Sequence, residues 1–183
     1  MQSKLAALVR SGADGVAQAR ELCAALTSPL VMPLDLRGAD LRGADLNRLN
    51  LRDVDLTGAD LRGADLFLAD LTGADLSGAN LTGADLTSAE LEGAVLDDAN
   101  LTDANFNSAN LDGASFHSSD LSGATLSHAS MALTSFNRCE FKGAVLLDTN
   151  FLCTDLASDL SEAVIDFRST TLGGPACQHG YLR

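Results

Sequence analysis

Large apolar residues recur at every fifth position from Leu36 to Leu156, with no insertion or deletion between them. Each is Leu, Phe or Met, and it is followed by two variable residues, a small residue that is usually Ala, and most often Asp or Asn. The purest stretch, residues 71–85, reads LTGAD LSGAN LTGAD. We call the large apolar residue the centre of its unit, and the centres at 36, 41, 46 and onward to 156 make 25 units.

A period of five matches neither an α-helix nor a flat strand, either of which would scatter these centres over several faces. The chain must therefore turn regularly. If each unit forms one short side and a corner, four units close a square coil, and successive coils stack at the spacing of strands in a sheet. The centre and the small residue two positions before it then point inward, whereas the Asp or Asn between them and the two residues after the centre point outward.

The repeat resembles that of the pentapeptide-repeat family, A-[DN]-L-x-x, over about two-thirds of the chain. The resemblance implies an all-β fold, a right-handed quadrilateral β-helix of about six coils, that binds other macromolecules and is not an enzyme. The best-understood members of the family confer resistance to quinolones by imitating DNA on gyrase, as dimers joined at their C-terminal ends. Those proteins tend to have less regular repeats, and none of their contact residues can be assigned to numbered positions here.

The pattern divides the chain into an N-terminal helical cap (1–32), the β-helix (33–158) and a C-terminal short helix with a tail (159–183). Apolar residues of the first region recur at helical spacings, namely Leu5, Leu8, Val9, Val16, Ala19, Leu22, Cys23 and Leu26. A solenoid end exposes its interior and unpaired backbone groups, so the simplest role for this segment is to cover the first coil. A partner-binding or dimerising helix is the alternative.

The repeat loses one residue between Leu156 and Leu160. Asp159 followed by Glu162 resembles a helix start, and this favours a short helix. The residues that would share one face of that helix are Leu160, Val164 and Phe167. Because Asp159-Leu160 and Val164-Ile165 also fit the repeat, a further piece of the solenoid is the alternative.

The outside of the predicted solenoid is acidic. Residues 35–160 carry 21 Asp or Glu and 7 Lys or Arg, a net charge of −14, against −13 for the whole chain. Over six coils of ~4.8 Å this is roughly one net charge per 2 Å, close to the ~1.7 Å per charge of duplex DNA. No Lys or Arg occurs between Arg62 and Arg138. We therefore expect a positively charged partner to bind an acidic face formed by Asp70, Asp75, Asp85, Glu90, Glu92, Asp97, Asp98, Asp103, Asp112 and Asp120.

The same acids also have a structural explanation. Asp or Asn before the centre can hydrogen-bond nearby backbone at a corner, so many carboxylates would follow from the repeat without any partner. Asn would serve equally without repulsion between stacked charges, as it does at Asn80 and Asn100. Both interpretations stay open: a surface selected for its charge, and a by-product of the repeat.

Apolar residues at outward positions form two predicted patches. The larger one, in the last coils, consists of Leu133, Val145, Leu147 and Leu152. Such a patch is usually covered, here by the C-terminal segment or by a second copy in a homodimer. A smaller patch, Phe67 and Leu68, is a place where the N-terminal helices could fold back.

We expect no metal, no cofactor and no enzymatic activity. The four cysteines lack CxxC spacing and should be free thiols, with Cys139 pointing inward in place of Ala. His117 and His128 belong to different faces of the square. We see no Ser/His/Asp or Cys/His set and no glycine loop before a helix, and glycines such as Gly73 are corner residues.

No apolar run approaches the length of a transmembrane helix, and charges at Arg10, Asp14 and Arg20 interrupt any secretory signal, so the expected location is cytoplasmic. Such an acidic surface also predicts no direct binding of nucleic acid. Two function classes remain. One is an acidic DNA mimic that binds DNA gyrase or another topoisomerase and protects it from inhibitors. The other is a structural or scaffolding module for protein–protein interaction.

Overall fold

The computed structural model describes residues 35–150, 152, 154, 155, 158 and 160–166. Each residue before a centre pairs, in parallel, with the residue 20 positions later, from Asp35 with Asp55 through to Ser135 with Asp155. The chain therefore completes one coil every four units. This confirms the predicted quadrilateral β-helix, in which each side is too short to form more than an isolated bridge.

Every unit turns its corner in the same way. In the first unit the Ala39 amide donates to the Leu36 carbonyl across 3.0 Å, and Gly38, two residues after the centre, has φ +61°. A positive φ at the third residue of such a turn is the mark of a type II turn. The equivalent residue has φ between 53° and 71° in all 23 units from 38 to 148, although only 11 of these residues are Gly. The stacked coils hold the backbone in this conformation even where the side chain disfavours it.

The interior is the one that the repeat predicts. The centres from Leu36 to Leu146 are at most 2% exposed, and the small residues two positions before them are similarly buried. Four inward rings occupy the later coils: Phe116 stacks on Phe136 with 4.8 Å between centroids, and Phe106 and Phe141 meet this pair edge-on. The core is thus one continuous column of apolar side chains, which holds its aromatic rings toward the C-terminal end.

Some inward small positions hold polar residues, and several of these bond a centre of the preceding coil, whereas the buried hydroxyl of Thr149 has no partner among the described residues. The Ser119 hydroxyl donates to the Leu96 carbonyl across 2.5 Å, and the Thr134 hydroxyl donates to the Leu111 carbonyl across 2.7 Å. Cys139 is buried with its thiol against the Phe116 carbonyl, which confirms its inward position as a free thiol. Burial raises the pKa of the Cys139 thiol to about 11, so it stays protonated at neutral pH.

The C-terminal part of the described chain corrects one prediction. Strand β1, Val145–Leu147, pairs in parallel with strand β2, Val164–Asp166, and Val145 lies opposite Val164. The short helix predicted from Asp159 onward is therefore wrong over 160–166, where the chain makes a turn and then a strand. The physical reason is that one lost residue shifts the register to 19 without preventing the strand from bonding to the coil below.

The predicted N-terminal cap (1–32) and the tail from 167 lie outside the described residues, as do Cys23, Cys153 and Cys177. In the part of the chain that the structure covers, no helix is long and apolar enough to cross a membrane.

Candidate partner-binding surface

The Asp or Asn before each centre has a structural task. Three of the five amides in a unit donate to a neighbouring coil and a fourth closes the turn, which leaves the amide directly after the centre. The side chain two residues earlier accepts from that amide: Asp55 from Thr57 across 3.1 Å, and Asp75 from Ser77 across 2.9 Å. The structural explanation of the acidic repeat is thus supported for the residue before each centre, where Asp and Asn serve equally.

At several later centres that follow a Ser or Thr, the coil below supplies the acceptor instead. Ser130 stands before a centre and is too short to reach the amide of Ala132, but Asp112 accepts from that amide across 2.8 Å and from the Ser130 hydroxyl across 2.6 Å. Asp97 does the same for His117 and Ser115. Asp97 and Asp112 therefore hold the backbone although each stands directly after a centre and not before one. The sequence reasoning missed this role.

The ten predicted acids surround the solenoid and do not form one face. Four lie on one side (Asp70, Glu90, Glu92, Asp112), three on the next (Asp75, Asp97, Asp98), two on the third (Asp103, Asp120), and Asp85 on the fourth. The prediction of a single acidic face is therefore wrong. The first two of these sides share a corner and hold seven of the ten carboxylates, so we call them the acidic edge.

Only some carboxylates of the acidic edge lack a hydrogen bond or ion pair within the described solenoid. Glu90 accepts from the side-chain amide of Asn110 across 2.9 Å. Asp70 accepts from the backbone amide of Thr72 and forms an ion pair with Arg52. Glu92 and Asp98 are exposed, and neither side chain makes a hydrogen bond or ion pair with any residue that the structure describes. These two carboxylates add charge without holding the backbone, so they are the best candidates for contact with a partner.

Four of the five arginines in the first two coils pair with neighbouring carboxylates. Arg42 Nη2 lies 2.7 Å from Asp40 Oδ2, and Arg62 Nη2 lies 2.6 Å from Asp60 Oδ2. The hydrogen bond from Arg42 is the main reason that the pKa of Asp40 falls to about 2, and Arg62 lowers the pKa of Asp60 in the same way. Exposed pairs of this kind stabilise the fold little, but they neutralise the first coils and leave the negative charge in the middle of the solenoid.

A polar network on the acidic edge joins four successive coils. Asp97 Oδ2 lies 3.4 Å from Nδ1 of His117, and Ser135 Oγ lies 3.0 Å from Nε2 of the same ring. Asn137 Nδ2 lies 3.1 Å from this Nε2 and donates to Asp155 Oδ2 across 3.1 Å. The sequence reasoning found no Ser/His/Asp set, and this is wrong in spatial terms, since stacking brings together residues that lie 18 or 20 positions apart.

The geometry of this network is that of a structural clasp. Asn137 Nδ2 contacts His117 Nε2 as well as Ser135 Oγ, so its side-chain amide competes for the ring nitrogen that a general base would need free. The backbone amide of Ser135 donates to the Ala114 carbonyl across 3.0 Å and is unavailable to stabilise an oxyanion there. A surface cleft of about 440 Å³ adjoins the network and is lined by His117, Ser118, Asn137 and Arg138.

The predicted apolar patch of the last coils is smaller than expected. Leu133 is 69% exposed, but Val145, Leu147 and Leu152 are half-buried. Half-burial is usual at these positions, since the residues before and directly after a centre are half-buried in most units. Val164, in β2, is exposed.

Within the described ranges, no cluster of His, Cys, Asp and Glu could hold a metal ion. His117 and His128 lie on different faces, as predicted, and each approaches a single carboxylate, that of Asp97 or Asp148.

Comparison with known families agrees with the fold. The family model described as pentapeptide repeats matches eight copies, over residues 35–73, 64–103, 99–138 and 119–152. Together these segments span 35–152, well over half of the 183 residues. The chain therefore belongs to the pentapeptide-repeat family. None of the curated protein sequences matches it.

Several solved structures of the family are similar to this chain. A pentapeptide repeat protein from the thylakoid lumen of Arabidopsis thaliana is 33% identical, with 63% of this chain and 70% of that chain covered and a TM-score of 0.40. HetL of Nostoc sp. strain PCC 7120, involved in heterocyst differentiation regulation, is 25% identical, with 81% and 87% covered and a TM-score of 0.31. QnrB1, a plasmid-mediated fluoroquinolone resistance protein, is 21% identical, with 75% and 66% covered and a TM-score of 0.35.

Proposed function

We propose that this protein is a non-enzymatic binding solenoid whose acidic edge docks on a positively charged surface of a protein partner. The observation that carries the proposal is the base-free stretch between Arg62 and Arg138, where the exposed carboxylates of Glu92 and Asp98 add charge that the backbone does not need. Holding like charges close together on one surface costs free energy, and a cationic partner offsets that cost.

The specific partner that we propose is DNA gyrase or a related topoisomerase, bound by this protein as a DNA mimic and protected from inhibitors. The charge spacing along the solenoid axis, roughly one net charge per 2 Å, is close to that of duplex DNA. A cytoplasmic location is part of the same proposal. The alternative is a scaffolding module for other proteins, which the regular faces would also suit.

The test is gyrase supercoiling with the purified protein, with and without a quinolone. We expect inhibition of supercoiling or protection from the drug at micromolar concentrations, and affinity that weakens steeply as salt rises. No inhibition, no protection and no binding at these concentrations would contradict the gyrase proposal.

A matched pair of double variants tests whether the acidic edge makes the contact. Glu92→Gln with Asp98→Asn removes two uncommitted charges from the base-free coils. Glu140→Gln with Asp148→Asn removes the same number of charges from the last coils. We expect only the first pair to weaken binding by tenfold or more. Equal losses from both would mean that net charge alone decides binding.

A further inference from the structure

Leu68 occupies a corner where a leucine is unfavourable for two reasons. Its φ is +56°, in the left-handed region that side chains other than those of Gly, Asn and Asp rarely adopt. Its side chain is also 42% exposed. Among the 23 equivalent corners from 38 to 148, only Leu68 and Leu133 are apolar. Unlike Leu133, Leu68 directly follows a large outward apolar residue, Phe67, and the two form a contiguous apolar surface that a contact would cover.

Phe67 extends this position into a small apolar surface. It precedes Leu68 on the same face and is half-buried. Among the described residues it is the one phenylalanine at an outward position of the repeat. Its neighbours in the adjoining coils, Asn47 and Thr87, are polar. The pair is thus an isolated apolar site of two side chains, suited to a short segment.

We propose that the N-terminal segment, residues 1–34, docks on Phe67 and Leu68. The segment joins the solenoid at Asp35, within two coils of this site, or roughly 10 Å along the axis. The other end of the described solenoid, β2, lies more than four coils away, roughly 20 Å. Thirty-four residues reach this distance easily even as helix, at ~1.5 Å per residue. The N-terminal segment is therefore the part of the chain best placed to cover the site.

The chemistry of the segment fits the site. Its apolar residues recur at helical spacings, which predicts an amphipathic helix with one apolar face to offer. Its charges are Lys4, Arg10 and Arg20 against Asp14 and Glu21, one net positive in a chain that is otherwise acidic. Beside Phe67 runs a stacked column of carboxylates, Asp45, Asp65 and Asp85. An apolar contact flanked by opposite charges would hold the segment on this face and leave the acidic edge open.

The experiment compares amide hydrogen exchange of residues 5–26 in the full-length protein and in two single variants, Leu68→Asn and Leu133→Asn. Asn tolerates a left-handed backbone, so neither variant strains its corner. Both remove an exposed leucine with similar φ, but Leu133 lies in the later coils. We expect protection in the wild type, a loss of tenfold or more in Leu68→Asn, and no change in Leu133→Asn. Tryptic cleavage after Arg10 and Arg20 should accelerate in Leu68→Asn and not in Leu133→Asn.

Two results would overturn the proposal. One is equal exchange of residues 5–26 in the wild type and in Leu68→Asn, which would mean that Leu68 does not hold the segment. The other is protection that grows with protein concentration, which would assign the contact to a second copy. Thermal unfolding supplies a check on folding: both variants should unfold cooperatively, and Leu133→Asn should be at least as stable as the wild type.

Discussion

The first and the later coils share one backbone but hold it with different side chains. In the first coils the interior is mostly Leu and Ala, most residues with positive φ are Gly, the Asp or Asn before each centre accepts from the amide two residues later, and most arginines pair with these carboxylates. In the later coils Phe rings stack in the interior, most residues with positive φ are not Gly, and Asp97 and Asp112 accept from amides of the coil above. The backbone hydrogen-bond pattern is the same in both, so it is compatible with either set of side chains.

This difference separates carboxylates that have a partner within the fold from carboxylates that have none among the described residues. Near Arg42 and Arg62 almost every charged group has a partner within its own or the next coil. In the middle coils Asp97 and Asp112 have backbone partners, whereas Glu92 and Asp98 do not. The carboxylates that accept no backbone hydrogen bond are therefore the ones available to a cationic partner. A count of acids alone does not separate them from the carboxylates that stabilise the fold.

The largest effect is expected in the aromatic interior of the later coils. Phe116→Ala removes a ring that contacts both Phe106 and Phe136, and should cost about 4 kcal/mol of unfolding free energy. Leu56→Ala, at the same inward position of an early coil, should cost about 3 kcal/mol. Urea unfolding of both variants measures the difference. If Phe116→Ala costs less than Leu56→Ala, the ring column does not stabilise the later coils more.

A second prediction concerns the corners. A Cβ at Gly123 would collide with Asp103 Oδ1, and φ there is +71°. Because only the end of the exposed Asp103 side chain must move, Gly123→Ala should cost about 2 kcal/mol, the backbone strain plus this displacement. At Gly83, on the same face, nothing lies within 4 Å, so Gly83→Ala should cost only the backbone strain, about 1 kcal/mol.

A double variant isolates the collision at this corner. Adding Asp103→Gly to Gly123→Ala removes the contact, and should bring the loss back to about 1 kcal/mol. An additive double variant would mean that Asp103 simply swings away from Gly123. Chemical denaturation of the three proteins decides between these results.

The third prediction separates structural from spare carboxylates. Asp112 and Glu92 occupy equivalent positions in successive coils of one face and carry the same charge. Asp112→Ala deprives the Ala132 amide of its acceptor and should cost about 1.5 kcal/mol. Glu92→Ala should change stability by less than about 0.5 kcal/mol. Equal losses in thermal unfolding would show that the capping bond contributes nothing.

The smallest effect concerns the ion pairs of the first coils. The pKa of Asp40 is lowered to about 2, chiefly by the hydrogen bond from Arg42, whereas the unfolded value is near 4. A carboxylate with a lowered pKa in the folded state stabilises the protein above the unfolded pKa, and this stabilisation is lost as pH falls toward 2. The stability difference between the wild type and Arg42→Gln should be constant above about pH 4 and shrink toward pH 2. Urea midpoints at several pH values measure it, and a difference that does not change down to pH 2 would contradict this account.

The sequence was a reliable guide wherever a side chain's position depends only on the repeat. The inward centres, the inward Cys139, the 20-residue coil and the corner at Gly73 are all confirmed, because each follows from the strict spacing of five. The helix predicted from Asp159 is wrong over 160–166, because a capping pattern and a shifted repeat look alike over so few residues. The backbone ladder of the preceding coil decided the outcome in favour of a strand.

The sequence by itself determined that this chain is a square solenoid with an apolar interior and an acidic exterior, because a gapless period of five allows little else. Only the tertiary structure decided which exterior groups hold the fold. The clasp of Asp97, His117 and Ser135 and the caps that reach from one coil to the next depend on contacts between residues about 20 positions apart. Such contacts depend on rotamers and hydrogen-bond competition within each stack, and the spacing of the repeat carries no information about either.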